Sequence, residues 1–150
     1  MLPTGLDQER FYVVTGAGFG EHNFTWIERG LRNDPAAGPA TTTDVSSAFA
    51  VINLAGPRSR DVLASVADQS VSNDSFPFMT WRSLSLGLAT DVRALRVTFV
   101  GELGYELHVP CESAVHLHER LWEAGQEHAI ANAGCKTALL FDLRCECTAA

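Results

Sequence analysis

The chain has 150 residues, of which 46% are hydrophobic, and carries a formal net charge of −7 at pH 7. This hydrophobic share supports a packed core and excludes long disorder. The acidic balance argues against a nucleic-acid module or a protein bound to an anionic membrane, since both need a basic surface. The N-terminus lacks the features of a signal peptide, and no apolar run approaches the roughly 20 residues of a transmembrane helix. We therefore expect a cytoplasmic protein without nucleic-acid or membrane partners.

A strand over 10–15 and a helix over 21–32 are the first elements that the sequence predicts. Apolar residues recur in the second segment at the spacing of one helix face. The segment NDPAAGP that follows is rich in turn formers and predicts a loop. We place a subdomain boundary at this loop, with a first subdomain over 1–39, a second over 40–134 and a tail over 135–150.

The loop between this strand and helix contains Gly16, Gly18 and Gly20. A strand, a glycine loop and a helix also begin a dinucleotide-binding site. That fingerprint needs glycine at its sixth position, where this chain has Glu21, whose carboxylate would repel a pyrophosphate. A nucleotide-binding domain is therefore a disfavoured alternative. We interpret the glycines as residues that supply unusual backbone angles at a strand-to-helix turn.

The second subdomain alternates predicted strands and helices. In chain order these are strands over 41–45 and 49–54, a helix over 58–66, an edge strand over 81–88, a hairpin over 92–110 and a helix over 113–123. Strands that pair locally between helices predict an α+β fold, with small antiparallel or mixed sheets and packed helices, rather than a doubly wound parallel sheet.

The hairpin is the segment VRALRVTFVGELGYELHVP. A loop of about four residues would pair Phe99 with Glu106 and Val97 with His108, which places these side chains on one face. Glu106 is unusual because its neighbours are apolar. Its carboxylate lies either on a solvated sheet surface, which a lone strand glutamate favours, or in a buried place where it accepts paired N–H groups from a heterocycle.

The other reactive side chains form no recognisable site. The four cysteines and five histidines lack zinc-ligand spacing, and no nucleophile motif surrounds a serine. We therefore predict neither a metal site nor a catalytic residue in this chain.

Four segments, in order, resemble one known family. They are RFYVVTGAGFGEHNFTWI, VINLAGPRSRDVLASV, LRVTFVGELGYELHVP and AVHLHERLWEAGQEHAIANAG. They are similar to the folate-binding aminomethyltransferase domain of the glycine-cleavage T-protein, which also forms part of the C-terminal half of dimethylglycine and sarcosine dehydrogenases and oxidases. The forms FVGELGYEL and EHNFTWI look closer to the dehydrogenase branch. The resemblance covers about residues 9–134.

The resemblance implies a tetrahydrofolate site. In the family's GE-x-G-x-E motif the second glutamate holds the pterin edge, and it matches Glu106. The aromatic residue seven positions earlier is Phe99, where the family usually has tyrosine, so a stacking face is kept and a hydroxyl hydrogen bond is lost. Gly16 matches a loop whose backbone approaches folate. His108 is a further candidate contact on the face of Glu106.

The family transfers a one-carbon unit from an aminomethyl or iminium donor to tetrahydrofolate. Its assisting aspartate belongs upstream of the RFYVV strand, where only Asp7 occurs, and the resemblance does not extend a catalytic role to it. The tail CKTALLFDLRCECTAA departs from the family, and the FAD-binding half of a dehydrogenase is missing. The resemblance thus implies a fragment that is inactive alone, with the remainder of the parent protein as a partner. A non-catalytic folate-binding or regulatory module is the alternative.

Overall fold

The computed structural model describes residues 2–34, 38–98 and 101–134. Two compact units are present, the first ending at Val45 and the second beginning at Ser46. Each unit has its own antiparallel sheet, two-stranded in the first and four-stranded in the second. Helices accompany both sheets, so the α+β fold class is confirmed. Phe99 and the predicted tail over 135–150 lie outside the described residues.

The first unit is a β-hairpin followed by a helix. Strand β1 (Leu2–Gly5) pairs with β2 (Phe11–Val14), and helix α1 spans Gly20–Asn33. The predicted strand over 10–15 and helix over 21–32 are confirmed. Strand β1 was not predicted, because its sequence LPTG contains a proline and a glycine and has little strand propensity of its own.

Asp7 stabilises the turn between β1 and β2. Its Oδ1 accepts hydrogen bonds from the N–H groups of Glu9 at 2.9 Å and Arg10 at 2.8 Å. The guanidinium Nε of Arg10 donates to Oδ2 at 2.6 Å. The Glu9 hydrogen bond above all, together with the Arg10 guanidinium, lowers the pKa of Asp7 below its usual value. This carboxylate therefore has a structural role in the turn.

The glycine loop between β2 and α1 uses ordinary backbone angles. Gly16 has φ −61° and ψ 137°, and Gly20 has φ −54° and ψ −57°, which any residue adopts. Gly18 is not among the glycines with positive φ. The interpretation that these glycines supply rare angles is therefore wrong. A Cβ at Gly18 or Gly20 would meet no described atom within 4 Å.

The second unit packs helices against one face of its sheet. Its strands are β3 (Phe49–Ala55), β4 (Trp81–Leu86), β5 (Ala89–Leu95) and β6 (Gly104–Pro110). Its helices are α2 (Ser59–Val66) and α3 (Ala114–Gly125), with 3₁₀ turns at Ser46–Ala48, Cys111–Ser113 and Gln126–His128. The spatial strand order is β3-β6-β5-β4, with antiparallel pairing throughout.

Most predicted elements of this unit are confirmed, including the edge position of the strand over 81–88. The strand predicted over 41–45 is wrong, since these residues are not in a strand. Threonine and valine there have high strand propensity, but propensity produces a strand only where a neighbouring strand completes the hydrogen bonds. No helix among the described residues is long and apolar enough to cross a membrane.

The core lies between the sheet and the two helices. Alternate residues of β6 point towards α2 and α3, because side chains in a strand alternate between faces. The buried core residues of the sheet are Leu54, Leu84, Leu86, Ala89, Val92, Ala94, Tyr105, Leu107 and Val109, and those of the helices are Val62, Leu63, Val66, Leu117 and Leu121. The helix stripes that the sequence predicts therefore face the sheet.

Strands β5 and β6 pair in a register four residues away from the predicted one. Leu95 lies opposite Glu106, and Arg93 lies opposite His108. The predicted pairing of Phe99 with Glu106 is wrong, and the connection between the strands is longer than the predicted loop. Because the displacement is an even number of residues, Leu95 still shares a face with Glu106 and His108, as predicted.

The physical reason for this register lies at Arg96. Its N–H donates to the carbonyl of Thr80 at 2.9 Å, and its carbonyl accepts from the N–H of Met79 at 3.0 Å. Its Nη1 donates to the carbonyl of Phe76 at 2.6 Å. After β5 the chain therefore continues beside the segment that precedes β4, and its pairing with β6 ends at Leu95.

Candidate functional site

Glu106 lies near the middle of β6, an inner strand of the four-stranded sheet. Its cross-strand neighbours are Asn53 on β3 and Leu95 on β5. Because Tyr105 and Leu107 point to the core, Glu106 points to the opposite face. We call this the Glu106 face. Its residues are Phe49, Val51, Asn53, Trp81, Ser83, Asp91, Arg93, Leu95, Glu106 and His108.

Burial differs sharply between the two predicted site residues of β6. The side chain of Glu106 is 24% exposed, whereas that of His108 is 3% exposed. His108 Nε2 lies 3.6 Å from Glu106 Oε2. Glu106 is thus neither fully solvated nor fully buried, and it lies beside an imidazole that the rest of the chain covers.

Further polar groups surround this pair. Arg93 lies opposite His108 on β5, and its guanidinium lies 4.3 Å from the centroid of the Phe49 ring. Ser83 Oγ donates to Asp91 Oδ1 at 3.0 Å. The Glu106 face therefore combines a carboxylate acceptor with an imidazole and a guanidinium. The described part of the chain contains no cluster of side chains suited to a metal ion.

The GELGYE motif is anchored to the start of α2. The carbonyl of Leu103 accepts from the N–H of Gly56 at 2.8 Å and from Ser59 Oγ at 3.1 Å. Ser59 is buried, and Gly56 has φ +122°, a conformation that favours glycine. These contacts fix the point at which β6 begins and thereby the position of Glu106.

This anchor is not predictable from the sequence, because no local pattern links Gly56 or Ser59 to Leu103. A second support is the Tyr105 hydroxyl, which accepts from Arg60 Nε at 3.3 Å, while Arg60 Nη2 donates to Asn73 Oδ1 at 2.7 Å. The only sequence feature that marks this region is the segment AGPRSR, which precedes a predicted helix.

Gly16 is exposed and lies in the first unit, in the loop after β2. Its carbonyl accepts from the N–H of Phe19 at 2.9 Å. An open depression next to this loop is lined by Ala17, Gly18, Gly20, Glu21, His22, Thr25 and Arg29. Gly16 is not part of that lining, so its role as a folate contact stays a prediction.

Comparison with protein families identifies the family of this chain. The family model described as the GCVT N-terminal domain matches residues 1–148. The chain belongs to the GCVT N-terminal domain family. This confirms the resemblance inferred from the four sequence segments. The dinucleotide alternative receives no support, and β1 and β2 pair antiparallel, whereas a dinucleotide fold needs parallel strands.

The curated relatives that this chain matches are much longer than the chain itself. It is 35% identical over 133 residues to mitochondrial sarcosine dehydrogenase of Homo sapiens, a match that covers 89% of this chain and 14% of that protein. It is 34% identical over 133 residues to sarcosine oxidase subunit alpha of Corynebacterium sp. (strain U-96), covering 88% and 14%. It is 33% identical over 124 residues to mitochondrial dimethylglycine dehydrogenase of Mus musculus, covering 83% and 14%.

A solved structure supports the GCVT fold. The heterotetrameric sarcosine oxidase from Corynebacterium sp. U-96, in complex with pyrrole 2-carboxylate, matches with a TM-score of 0.55 at 23% identity. The match covers 66% of this chain and 50% of that chain. At this identity the likeness concerns the fold alone.

Proposed function

We propose that the chain supplies the tetrahydrofolate-binding part of an aminomethyltransferase-like domain, with Glu106 as the acceptor for the pterin. The observation that carries this proposal is the partly exposed carboxylate on an inner strand, on the face away from α2 and α3. A pterin presents an amino group and a ring N–H side by side. A carboxylate accepts such a pair through both oxygens, with charge-assisted hydrogen bonds.

Three further residues belong to this proposal. Phe99 offers an aromatic face on which a pterin stacks. Gly16 offers a backbone that a ligand can approach closely. His108 lies beside Glu106 on the same face of the sheet.

The chemistry that we propose for the whole protein is transfer of a one-carbon unit to tetrahydrofolate, giving 5,10-methylenetetrahydrofolate. This chain spans 14% of the length of the curated relatives it matches. We assign to it only the folate side of that transfer. Oxidation of a methylated amine with FAD belongs, in this proposal, to other parts of a longer protein, which would be its partner.

Isothermal titration calorimetry with 5-formyltetrahydrofolate, a stable folate, tests the proposal. We expect saturable binding by the wild-type chain and a loss of about 10- to 100-fold in Glu106→Gln, because hydrogen bonds to a charged group are lost. Glu102→Gln is the matched control: it removes the same charge from the exposed end of the same motif and should leave affinity unchanged. Equal affinity of wild type and Glu106→Gln would refute the assignment, and saturable binding of NAD or FAD instead of folate would favour a nucleotide site.

A non-catalytic folate-binding module is the second candidate. It is favoured by 30% identity over 129 residues to the mitochondrial pyruvate dehydrogenase phosphatase regulatory subunit of Mus musculus, a match covering 86% of this chain and 14% of that protein. The two candidates differ in catalysis. The test uses a longer protein that carries this domain, because the chain alone is expected to be inactive. Formation of 5,10-methylenetetrahydrofolate from a methylated amine, abolished by Glu106→Gln, supports the transferase candidate, whereas folate binding by that protein without transfer supports the regulatory one.

A further inference from the structure

The burial of His108 distinguishes it from Glu106. Its side chain is 3% exposed, while Glu106, two residues earlier on the same face, is 24% exposed. A ligand on this face therefore reaches the carboxylate before it reaches the imidazole. His108 Nε2 lies 3.6 Å from Glu106 Oε2, so the imidazole touches the group that a ligand would meet first.

We propose that His108 is a positioning residue that holds the Glu106 carboxylate in the orientation that receives the pterin. This inference rests on the proposed function of Glu106. Glutamate has several rotatable bonds, and an exposed one samples many rotamers. The buried imidazole, whose Nε2 lies 3.6 Å from Oε2, limits the rotamers that the carboxylate can adopt, by close approach rather than by a hydrogen bond. The other oxygen and the remaining lone pairs stay available to a ligand.

The surroundings of His108 suit this role. Its cross-strand neighbours are Val51 on β3 and Arg93 on β5. Arg93 is engaged with the Phe49 ring at 4.3 Å, and the acid on its own strand, Asp91, accepts from Ser83. Backbone pairing on both sides of β6 fixes the backbone of His108, since an inner strand cannot shift without breaking two ladders.

A double-mutant cycle measured by titration with 5-formyltetrahydrofolate tests the positioning role. We expect His108→Leu to weaken binding by roughly three- to tenfold, less than the loss in Glu106→Gln, because the contact at 3.6 Å is longer than a hydrogen bond. His108→Gln retains an N–H donor and should recover most of that loss. In the Glu106→Gln background His108→Leu should have no further effect, because the group that it positions is already changed. His118→Leu, an exposed histidine of α3, is the control and should bind like wild type.

Two outcomes would overturn the inference and leave the proposed function intact. One is wild-type affinity in His108→Leu while Glu106→Gln has lost binding. The other is a double variant in which the affinity losses of the two single substitutions multiply, as they do for independent sites. If the wild-type chain binds no folate, the proposed function fails instead. Circular dichroism identifies any variant that has not folded.

A measurement on the ligand-free chain tests the contact between His108 and Glu106 even if the chain binds no folate. The ¹⁵N spectrum of the His108 ring in the wild-type chain distinguishes the two neutral tautomers. We expect the tautomer protonated at Nε2, because this nitrogen faces a carboxylate oxygen. A ring protonated at Nδ1 alone would contradict the positioning contact.

Discussion

Replacing Gly125 by alanine tests the packing at the C-terminal end of α3. A Cβ at this position would lie 2.6 Å from Ile130 Cδ1, 2.7 Å from Ile130 Cβ and 2.8 Å from Ile130 Cγ2. Carbon atoms in contact prefer about 3.5–4.0 Å. Since Ile130 Cβ is bonded to the backbone, a change of rotamer cannot relieve the overlap, and the chain itself must move.

The backbone around Ile130 resists that movement. Its N–H donates to the carbonyl of Gly125 at 3.1 Å, and the preceding Ala129 has φ 55°. Overpacking of this kind costs about 1–3 kcal/mol, while alanine gains about 1 kcal/mol of helix propensity over glycine. We therefore expect a net loss of about 1 kcal/mol, which lowers the melting temperature of a chain of 150 residues by roughly 2–4 °C.

Urea and thermal unfolding, followed by circular dichroism, measure the effect. Gly30→Ala in α1 is the matched control, because a Cβ there meets no described atom within 4 Å. It should stabilise the chain by about 1 kcal/mol. Equal stabilisation by the two substitutions would refute the overpacking argument. Ile130→Ala should also cost less in the Gly125→Ala background than in the wild type, because the two residues interact.

Two further predictions concern hydrogen bonds described above. Ser59→Ala should lower the free energy of unfolding by about 1 kcal/mol, because the hydrogen bond of a buried hydroxyl is lost. Ser65→Ala, at an exposed site of the same helix, is the control and should change the free energy of unfolding little. Equal losses in urea unfolding would contradict the anchor at the GELGYE motif. The Asp7 carboxyl, followed by ¹³C NMR, should titrate below its ordinary pKa of 3.8, and Arg10→Ala should raise that midpoint. The contribution of Asp7 to stability is therefore present above pH 3.8 and is lost as the pH falls through the lowered pKa of the folded state. A titration midpoint at the ordinary pKa would contradict the hydrogen bonds described for the turn.

Elements whose signal is local were predictable from the sequence. The stripe of α3 and the alternation along β6 depend only on periods of 3.6 and 2 residues. The sharing of one face by Glu106 and His108 follows from their spacing of two. Strand β1, in contrast, depends on pairing with β2, and residues 41–45 have strand propensity but belong to no strand of the described structure.

The register of β5 on β6 could not be predicted, because distant contacts determine it. Arg96 bonds to residues that precede β4, and Leu103 bonds to the start of α2. Neither contact has a local signature. The burial of His108 escaped prediction for the same reason, because spacing within a strand indicates a face but not how much of the molecule covers it.

The order of strands in the second sheet has a consequence for folding during synthesis. Strands β4, β5 and β6 follow one another in the chain and can form hairpins early, whereas β3 pairs, among the described strands, with β6, which is made after β4 and β5. The anchor between Ser59 and Leu103, 44 positions apart, closes a similarly long loop. Long-range contacts of this kind form late. On the ribosome the uncharged segment FAVINLA therefore remains unpaired for dozens of residues, which makes it the part of this unit most exposed to aggregation and to capture by chaperones.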